Sequence, residues 1–252
     1  MVQLTELVKY CDELLDTKVY QDYCPNGLQV EGVAEVNKIV TGVTACQALI
    51  DAAVAEDADL LLVHHGFFWK GESASLTGMK RRRIGALIEN NISLLAYHLP
   101  LDAHSEVGNN AQLAQRLNLE IEGRFGRGER DQVGMYGRLP KAMDAKEFAR
   151  HIANVLGREA LHLAGAVSQI EKVAWCTGAA QGYIEAATEL GVHAFLSGEV
   201  SEQTTHFVRE SGVHYYAAGH HATERYGVQA LGELLVKQFG ITNIFIDIDN
   251  PV

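Results

Sequence analysis

KIVTGVTACQALIDAAVAEDADLLLVHHG, residues Lys38–Gly66, lines up without a gap on KVAWCTGAAQGYIEAATELGVHAFLSGEV, residues Lys172–Val200. Gln47 meets Gln181, Ile50 meets Ile184, and Ala52-Ala53 meets Ala186-Ala187. Each copy reads as an apolar strand, an amphipathic helix and a second strand that is apolar throughout. Strands apolar along their whole length are those buried on both faces by crossover helices, so the pattern predicts α/β architecture with mostly parallel sheets. After each copy come a helix, a further apolar strand (ISLLAY at 92–97, VHYYAA at 213–218) and a histidine-bearing segment. The chain therefore reads as two similar α/β domains.

Working outward, Leu4 to Leu15 carries apolar residues at helical spacing, and Met79 to Asn90 and Asn109 to Leu117 read as further helices. GRFGRGERDQVG (Gly123–Gly134) is glycine-rich and charged, which suits a linker. The expected division is 1–123 and 124–252. A βαβ segment at about 130–166 reads as inserted in the second domain, with some C-terminal residues packing on the first. Within that segment a strand (Val133 to Leu139), a helix capped by Asp144 and a strand near Ala160 to Leu163 are expected.

Composition narrows the function. Lys+Arg is 21 against 32 Asp+Glu, a formal charge of −11, which disfavours binding to a nucleic-acid backbone. The basic run MKRRR (Met79–Arg83) is the local exception and reads as a solvated helix face. No run of apolar residues is long enough to span a membrane, and the N-terminus lacks the features of a secretory signal. The four cysteines are scattered without a CxxC pair, as expected of reduced thiols in a cytoplasmic chain. Eleven histidines in an acidic protein point to a metal site or a small-molecule enzyme.

Three polar clusters follow three predicted strands, where open α/β sheets place their ligands. The first is His64-His65-Gly66. Adjacent strand residues point to opposite faces, so both imidazoles reach one site only if the chain turns there, which Gly66 permits. The second is HLPLDAH, with His98, Asp102 and His104. The third is GHHATER, where His220 and Glu224 stand four apart and share a helix face. Imidazoles and carboxylates bind zinc, iron, manganese or nickel. His64, His65, Asp102, His220 and Glu224 are too many for one closed structural site and suit two divalent cations with open positions for water and substrate. His98 reads as a residue that holds a ligand by hydrogen bond or takes part in catalysis, and Glu199, in SGEVSEQ, as a candidate general base. His104 and His221 read as pocket-lining or solvated; His151, His162, His193, His206 and His214 read as structural. The aromatics of FFWKGE (Phe67–Glu72) suit either a lid or the core.

Together PNGLQVEG, VTGVTA, VHHGFFWKGE, HLPLDAH, SGEVSEQ and AGHHATER resemble, over essentially the whole chain, the YbgI-type family, also called NIF-three-like proteins or GTP cyclohydrolase 1 type 2 homologues. The resemblance implies the NIF-three-like fold of two α/β domains, a toroidal homohexamer and a dinuclear metal centre facing the ring's interior. The family's ligands fall on His64, His65, Asp102, His220 and Glu224. The expected activity is that of a metal-dependent hydrolase using a metal-bridging hydroxide on a small-molecule substrate, a nucleotide or another cyclic C–N compound. The alternative expectation is a non-enzymatic metal-binding ring or scaffold.

Overall fold

Leu60, Leu61, Leu62 and Val63 are wholly buried, each contributing about 1.5–3 kcal/mol of apolar burial, and they form the middle of a sheet. The computed structural model describes residues 1–126 and 132–252. These divide into two compact units, Met1–Val107 with Gly227–Asp249 and Gly108–Tyr226 with Asn250–Val252. The break after Val107 falls earlier than the expected one at 123/124, because the helix at 109–117 packs into the second unit's core.

The first unit runs β1 (Val2–Gln3), α1 (Leu4–Leu14), β2 (Gly27–Val30), β3 (Glu35–Val36), β4 (Lys38–Thr44), α2 (Gln47–Ala55), β5 (Leu60–His65), α3 (Gly78–Glu89), β6 (Ser93–Ala96) and α4 (Leu99–Ala103). The second runs α5 (Asn109–Leu117), β7 (Glu120–Phe125), β8 (Gly134–Asp144), α6 (Ala145–Leu156), β9 (Leu161–Leu163), β10 (Gln169–Cys176), α7 (Ile184–Glu189), β11 (Ala194–Ser197), α8 (Glu202–Ser211) and β12 (His214–Ala217). Then α9 (His220–Phe239) starts in the second unit and ends in the first, which β13 (Thr242–Phe245) completes.

The first sheet has the order β13-β4-β5-β6-β2, parallel except at β2. The second has the order β7-β8-β10-β11-β12-β9. It is parallel only from β10 to β12, so it is a mixed sheet where a mostly parallel one was expected. The duplication read from the sequence is reproduced in the registers: Ile39 pairs with Leu60 as Val173 pairs with Ala194, and the two pairs have the same spacing. It also reaches further. The segment expected as an insertion supplies β8, α6 and β9, in the order of β1, α1 and β2. β9 lies antiparallel on β12 as β2 lies antiparallel on β6.

The linker expectation meets a strand instead. Gly123, Arg124 and Phe125 belong to β7, an edge strand antiparallel to β8. Most of β7 is exposed, which is why its composition lacks a strand's apolar alternation. Arg127–Asp131 lie outside the described residues. The Asp144 expectation holds: its Oδ1 accepts from Lys146 N at 2.9 Å, and α6 ends at Gly157 with φ 72°. Each unit has its own core. One cluster holds Phe148, Ile152, Trp175 and Tyr216; two others flank the first sheet around Leu7, Leu62 and Tyr97 and around Leu49, Leu61 and Ile84. Among the described residues, no helix is long and apolar enough to cross a membrane. None of the four cysteines is in a disulfide; Cys11, Cys24 and Cys176 are buried and Cys46 is half-buried.

Candidate metal centre

In the first unit the donors stand at the carboxyl ends of β5 and β6. β5 runs two residues beyond the expected Val63, with His65 paired to Thr44. Both imidazoles nonetheless approach each other, with ring centroids 4.5 Å apart. Gly66 has no positive φ; its role is close packing. A Cβ there would stand 2.2 Å from Gln29 Oε1 and 2.6 Å from Ala96 Cβ. His64 is wholly buried. Its Nδ1 donates to the Tyr97 carbonyl at 2.8 Å, which leaves Nε2 as the nitrogen suited to a metal. That Nε2 lies 3.4 Å from Oδ1 of Asp102, itself buried on α4. His65 Nδ1 meets the Thr44 hydroxyl at 3.2 Å.

His98 comes next to them. Its ring centroid is 5.1 Å from His64, 5.6 Å from His65 and 5.0 Å from Trp69. Its Nδ1 stands 2.7 Å from Asp22 Oδ1. Asp22 is tied down in turn: Oδ2 accepts from Leu99 N at 2.9 Å and from Asn26 Nδ2 at 2.8 Å, and Oδ1 accepts from Tyr23 N at 2.6 Å. Burial by itself would push the Asp22 carboxyl up, but the hydrogen bonds from His98, Asn26 and Tyr23 outweigh it and hold the carboxyl below the usual range. Asp22 was not singled out from sequence. It stands 76 residues from His98 and reaches it only because β2 pairs with β6 through Gly27 and Ala96.

In the second unit, His220 and Glu224 share the first turns of α9, with Nε2 3.0 Å from Glu224 Oε2. His220 Nδ1 stands 2.7 Å from Glu199 Oε1, so the residue expected as a general base is engaged with the imidazole. Burial disfavours the charged ring, but Glu224 and Glu199 outweigh it and hold the His220 pKa up to about 9. Glu224 is buried against Gly178. That glycine has φ +68°, and a Cβ on it would stand 2.0 Å from Glu224 Oε1 and 3.2 Å from His220 Nε2. The glycine is pinned: its N donates to Thr223 Oγ1 at 3.1 Å, and its carbonyl accepts from Gly198 N at 2.9 Å and Ser197 Oγ at 3.1 Å. Sequence reasoning missed Gly178, whose need appears only once β10 and α9 are seen together.

His104 Nδ1 accepts from Glu106 N and Val107 N at 3.2 and 3.1 Å, a turn-closing role. His221 is buried. His151 bonds the Leu117 carbonyl, His193 Nδ1 accepts two backbone N–H groups, His162 and His214 bond each other, and His206 pairs with Glu202 on the surface. Phe67 is buried, whereas Trp69 lies beside His98. In MKRRR, Lys80 meets Glu72 at 3.1 Å, and Arg81 and Arg82 are exposed. A cleft of about 620 Å³, lined by Leu4, Val8, Asp12, Asp16, Leu28 and Glu31 among others, contains none of these donors. The donors stand at the strand ends, outside that cleft.

The donor set fits a divalent cation. Imidazoles with Nδ1 engaged by oxygen, facing buried carboxylates, are the construction that orients ligands in metalloproteins. The sequence profile of the Duf34/NIF3 (NGG1p interacting factor 3) family matches residues 2–251, and the chain belongs to that family. Among its relatives, a protein of Pseudomonas aeruginosa named GTP cyclohydrolase 1 type 2 homolog is 57% identical, with 99% of each chain covered. The protein of the same name from Escherichia coli is 50% identical over 98% of each. Among solved structures, protein ybgI, described as of unknown function, superposes with a TM-score of 0.96 at 49% identity over 100% of both chains. TTHA1606 of Thermus thermophilus gives 0.89 at 34%, again over 100% of both.

Proposed function

We propose that this protein is a metal-dependent hydrolase in which His64, His65, Asp102, His220 and Glu224 are the ligands of two divalent cations, of zinc, iron, manganese or nickel type. The observation that carries the reading is a construction made twice. In each unit an imidazole has Nδ1 held by an oxygen and Nε2 beside a buried carboxylate: His64 with Asp102 at 3.4 Å, and His220 with Glu224 at 3.0 Å. Bound ions would supply an activated water and polarise the bond to be cleaved. The protein's own share is orientation. The Tyr97 carbonyl fixes the His64 ring, Glu199 fixes the His220 ring, and Gly178 leaves the space that the Glu224 carboxylate fills.

The substrate class is a nucleotide or another cyclic C–N compound, a reading supported by the name that the curated relatives carry. Hydrolysis of such a ring adds water across the C–N bond, leaving oxygen on carbon and the proton on nitrogen. The assembly is a homohexamer, as the resemblance implies, and cysteines outside any disulfide fit a cytoplasmic setting.

The test is elemental analysis of wild type and Glu224→Ala, with a substrate screen on metal-loaded protein. Close to two ions per chain in wild type and a loss in the variant are expected, together with turnover of a nucleotide or cyclic amidine. Unchanged metal content in the variant overturns the ligand assignment. Inertness of the fully loaded protein toward GTP, other nucleotides and cyclic amidines overturns the hydrolase reading. Light scattering after gel filtration checks the six-chain assembly.

A further inference from the structure

The loop between α6 and β9 carries Arg158, which reaches the strand ends of the second unit. β9 runs antiparallel to β12 with Leu161 opposite Ala217, so residues just before β9 pass beside those just after β12. Arg158 accordingly lies against Gly219, whose φ is +98°. A Cβ on that glycine would stand 2.3 Å from Arg158 Nη1, 2.7 Å from Cζ and 3.0 Å from Cδ. Gly219 immediately precedes His220, and its N donates to the Gly198 carbonyl at 2.9 Å. The loop is tied to the same helix at its start, where Arg225 of α9 donates to the Leu156 carbonyl at the end of α6. The fold therefore lays the guanidinium beside the backbone that leads into His220 and Glu224.

The N–H groups of that guanidinium are not spent on the fold. Arg158 Nη1 is shielded from solvent and has no hydrogen-bond partner among the described residues. Glu199 and Glu224 are both engaged elsewhere, 2.7 Å from His220 Nδ1 and 3.0 Å from His220 Nε2. A guanidinium stays charged and can only donate, so it is no metal ligand and wants an anion. A charged donor out of water and unpaired is costly, and an arriving oxyanion relieves that cost with a charge-assisted hydrogen bond. In a chain of formal charge −11, an anionic ligand also needs a local positive group to hold it.

We propose that Arg158 is the oxyanion-binding residue of this site, taking a phosphate, either free or carried by a nucleotide. Gly219 belongs to the same device, since the guanidinium occupies the space its side chain would fill. The inference rests on the hydrolase reading for the bond that is cleaved and adds the group by which the substrate is held.

Calorimetric titration of metal-loaded, full-length protein with GMP, guanosine and inorganic phosphate tests this without turnover. Wild type is expected to bind GMP more tightly than guanosine. Arg158→Gln is expected to weaken GMP about 10–100-fold while guanosine affinity and metal content stay unchanged. Arg158→Lys, which keeps the charge and loses the fork, should fall between, and melting curves verify that both variants fold. Arg158-dependent binding of inorganic phosphate as tight as that of GMP assigns the site to the free anion; tighter binding of GMP assigns it to a nucleotide. Equal affinity of wild type and Arg158→Gln for GMP and phosphate overturns the proposal, as does a wild type that binds neither. Loss of metal from Arg158→Gln also overturns it, because the residue is then a prop of the metal centre. If wild type retains no metal yet binds phosphate through Arg158, the oxyanion site stands and the metal reading fails. If metal binds and depends on Glu224 while Arg158→Gln changes nothing, the metal reading stands and this inference fails.

Discussion

The two units build the same strand ends and furnish them differently. In the first, the imidazoles His64 and His65 stand on β5 and the carboxylate Asp102 on α4, after β6. In the second, Gly198 and Glu199 follow directly on β11, while α9 supplies both the imidazole His220 and the carboxylate Glu224. In the gapless alignment of the two copies, Gly198 occupies the place of His64 and Glu199 that of His65. The reason is steric. A Cβ on Gly198 would stand 2.7 Å from both the Gly178 carbonyl and His220 Cα. Close approach of α9 thus excludes a side chain at the strand end and moves the imidazole to the helix. The difference teaches that a donor's position depends on the backbone distance between neighbouring elements more than on which strand carries it.

The harshest way to break this comparison is to equalise the halves. Gly198→His, which gives the second unit the first unit's strand-end imidazole, should cost at least about 3 kcal/mol of stability, as overpacking against backbone does. Urea unfolding measures it, and near-wild-type stability would refute the steric account. Gly178→Ala should cost about 2–4 kcal/mol, combining strain at positive φ with the contact to Glu224, and should deplete bound metal. Its counterpart Thr44→Ala, losing one hydrogen bond to His65, should cost only about 0.5–1.5 kcal/mol. Equal costs at the two positions would show that Gly178 is no cradle.

A gentler test uses charge. In the metal-free protein His220 is raised to about 9, so its partners' contribution is fully present below the unfolded value of about 6.5 and fades as pH rises through 9. Glu199→Gln should therefore destabilise the apo protein at pH 6 and approach wild type by about pH 10. Denaturation at the two pH values, with NMR titration of His220, decides it; a pH-independent difference would sink the ion-pair account. The smallest effect concerns His162, which bonds His214 and stacks on Tyr216 where β9 meets β12. Burial, then the neighbouring His214, pushes its pKa down, so the unfolded chain takes the proton first and stability falls as pH drops through about 6.5. His162→Phe should flatten that part of the profile slightly. A wild-type slope in the variant would assign it to another group.

How much was legible follows from where each signal resides. The fold was legible because β5 and β6 are apolar along their length and because the copies from Lys38 and Lys172 align without a gap. The strand-end donors were legible because parallel topology puts chemistry there. Asp22 was not, since its partner becomes adjacent only through antiparallel pairing across the sheet. Gly178 was not, since a glycine's importance is the space around it. β7 was not, since an exposed edge strand needs no apolar face.

The thiols described above have a practical side. Cys11 and Cys24 are buried with pKa values pushed up to about 12, and Cys176 is buried as well. Alkylating reagents attack accessible thiolates, so these three should react slowly. Cys46 is half-buried and caps α2, two residues past the Thr44 that meets His65. A maleimide dye should therefore modify the unmutated chain chiefly at Cys46, placing a fluorescent reporter beside the first unit's imidazoles.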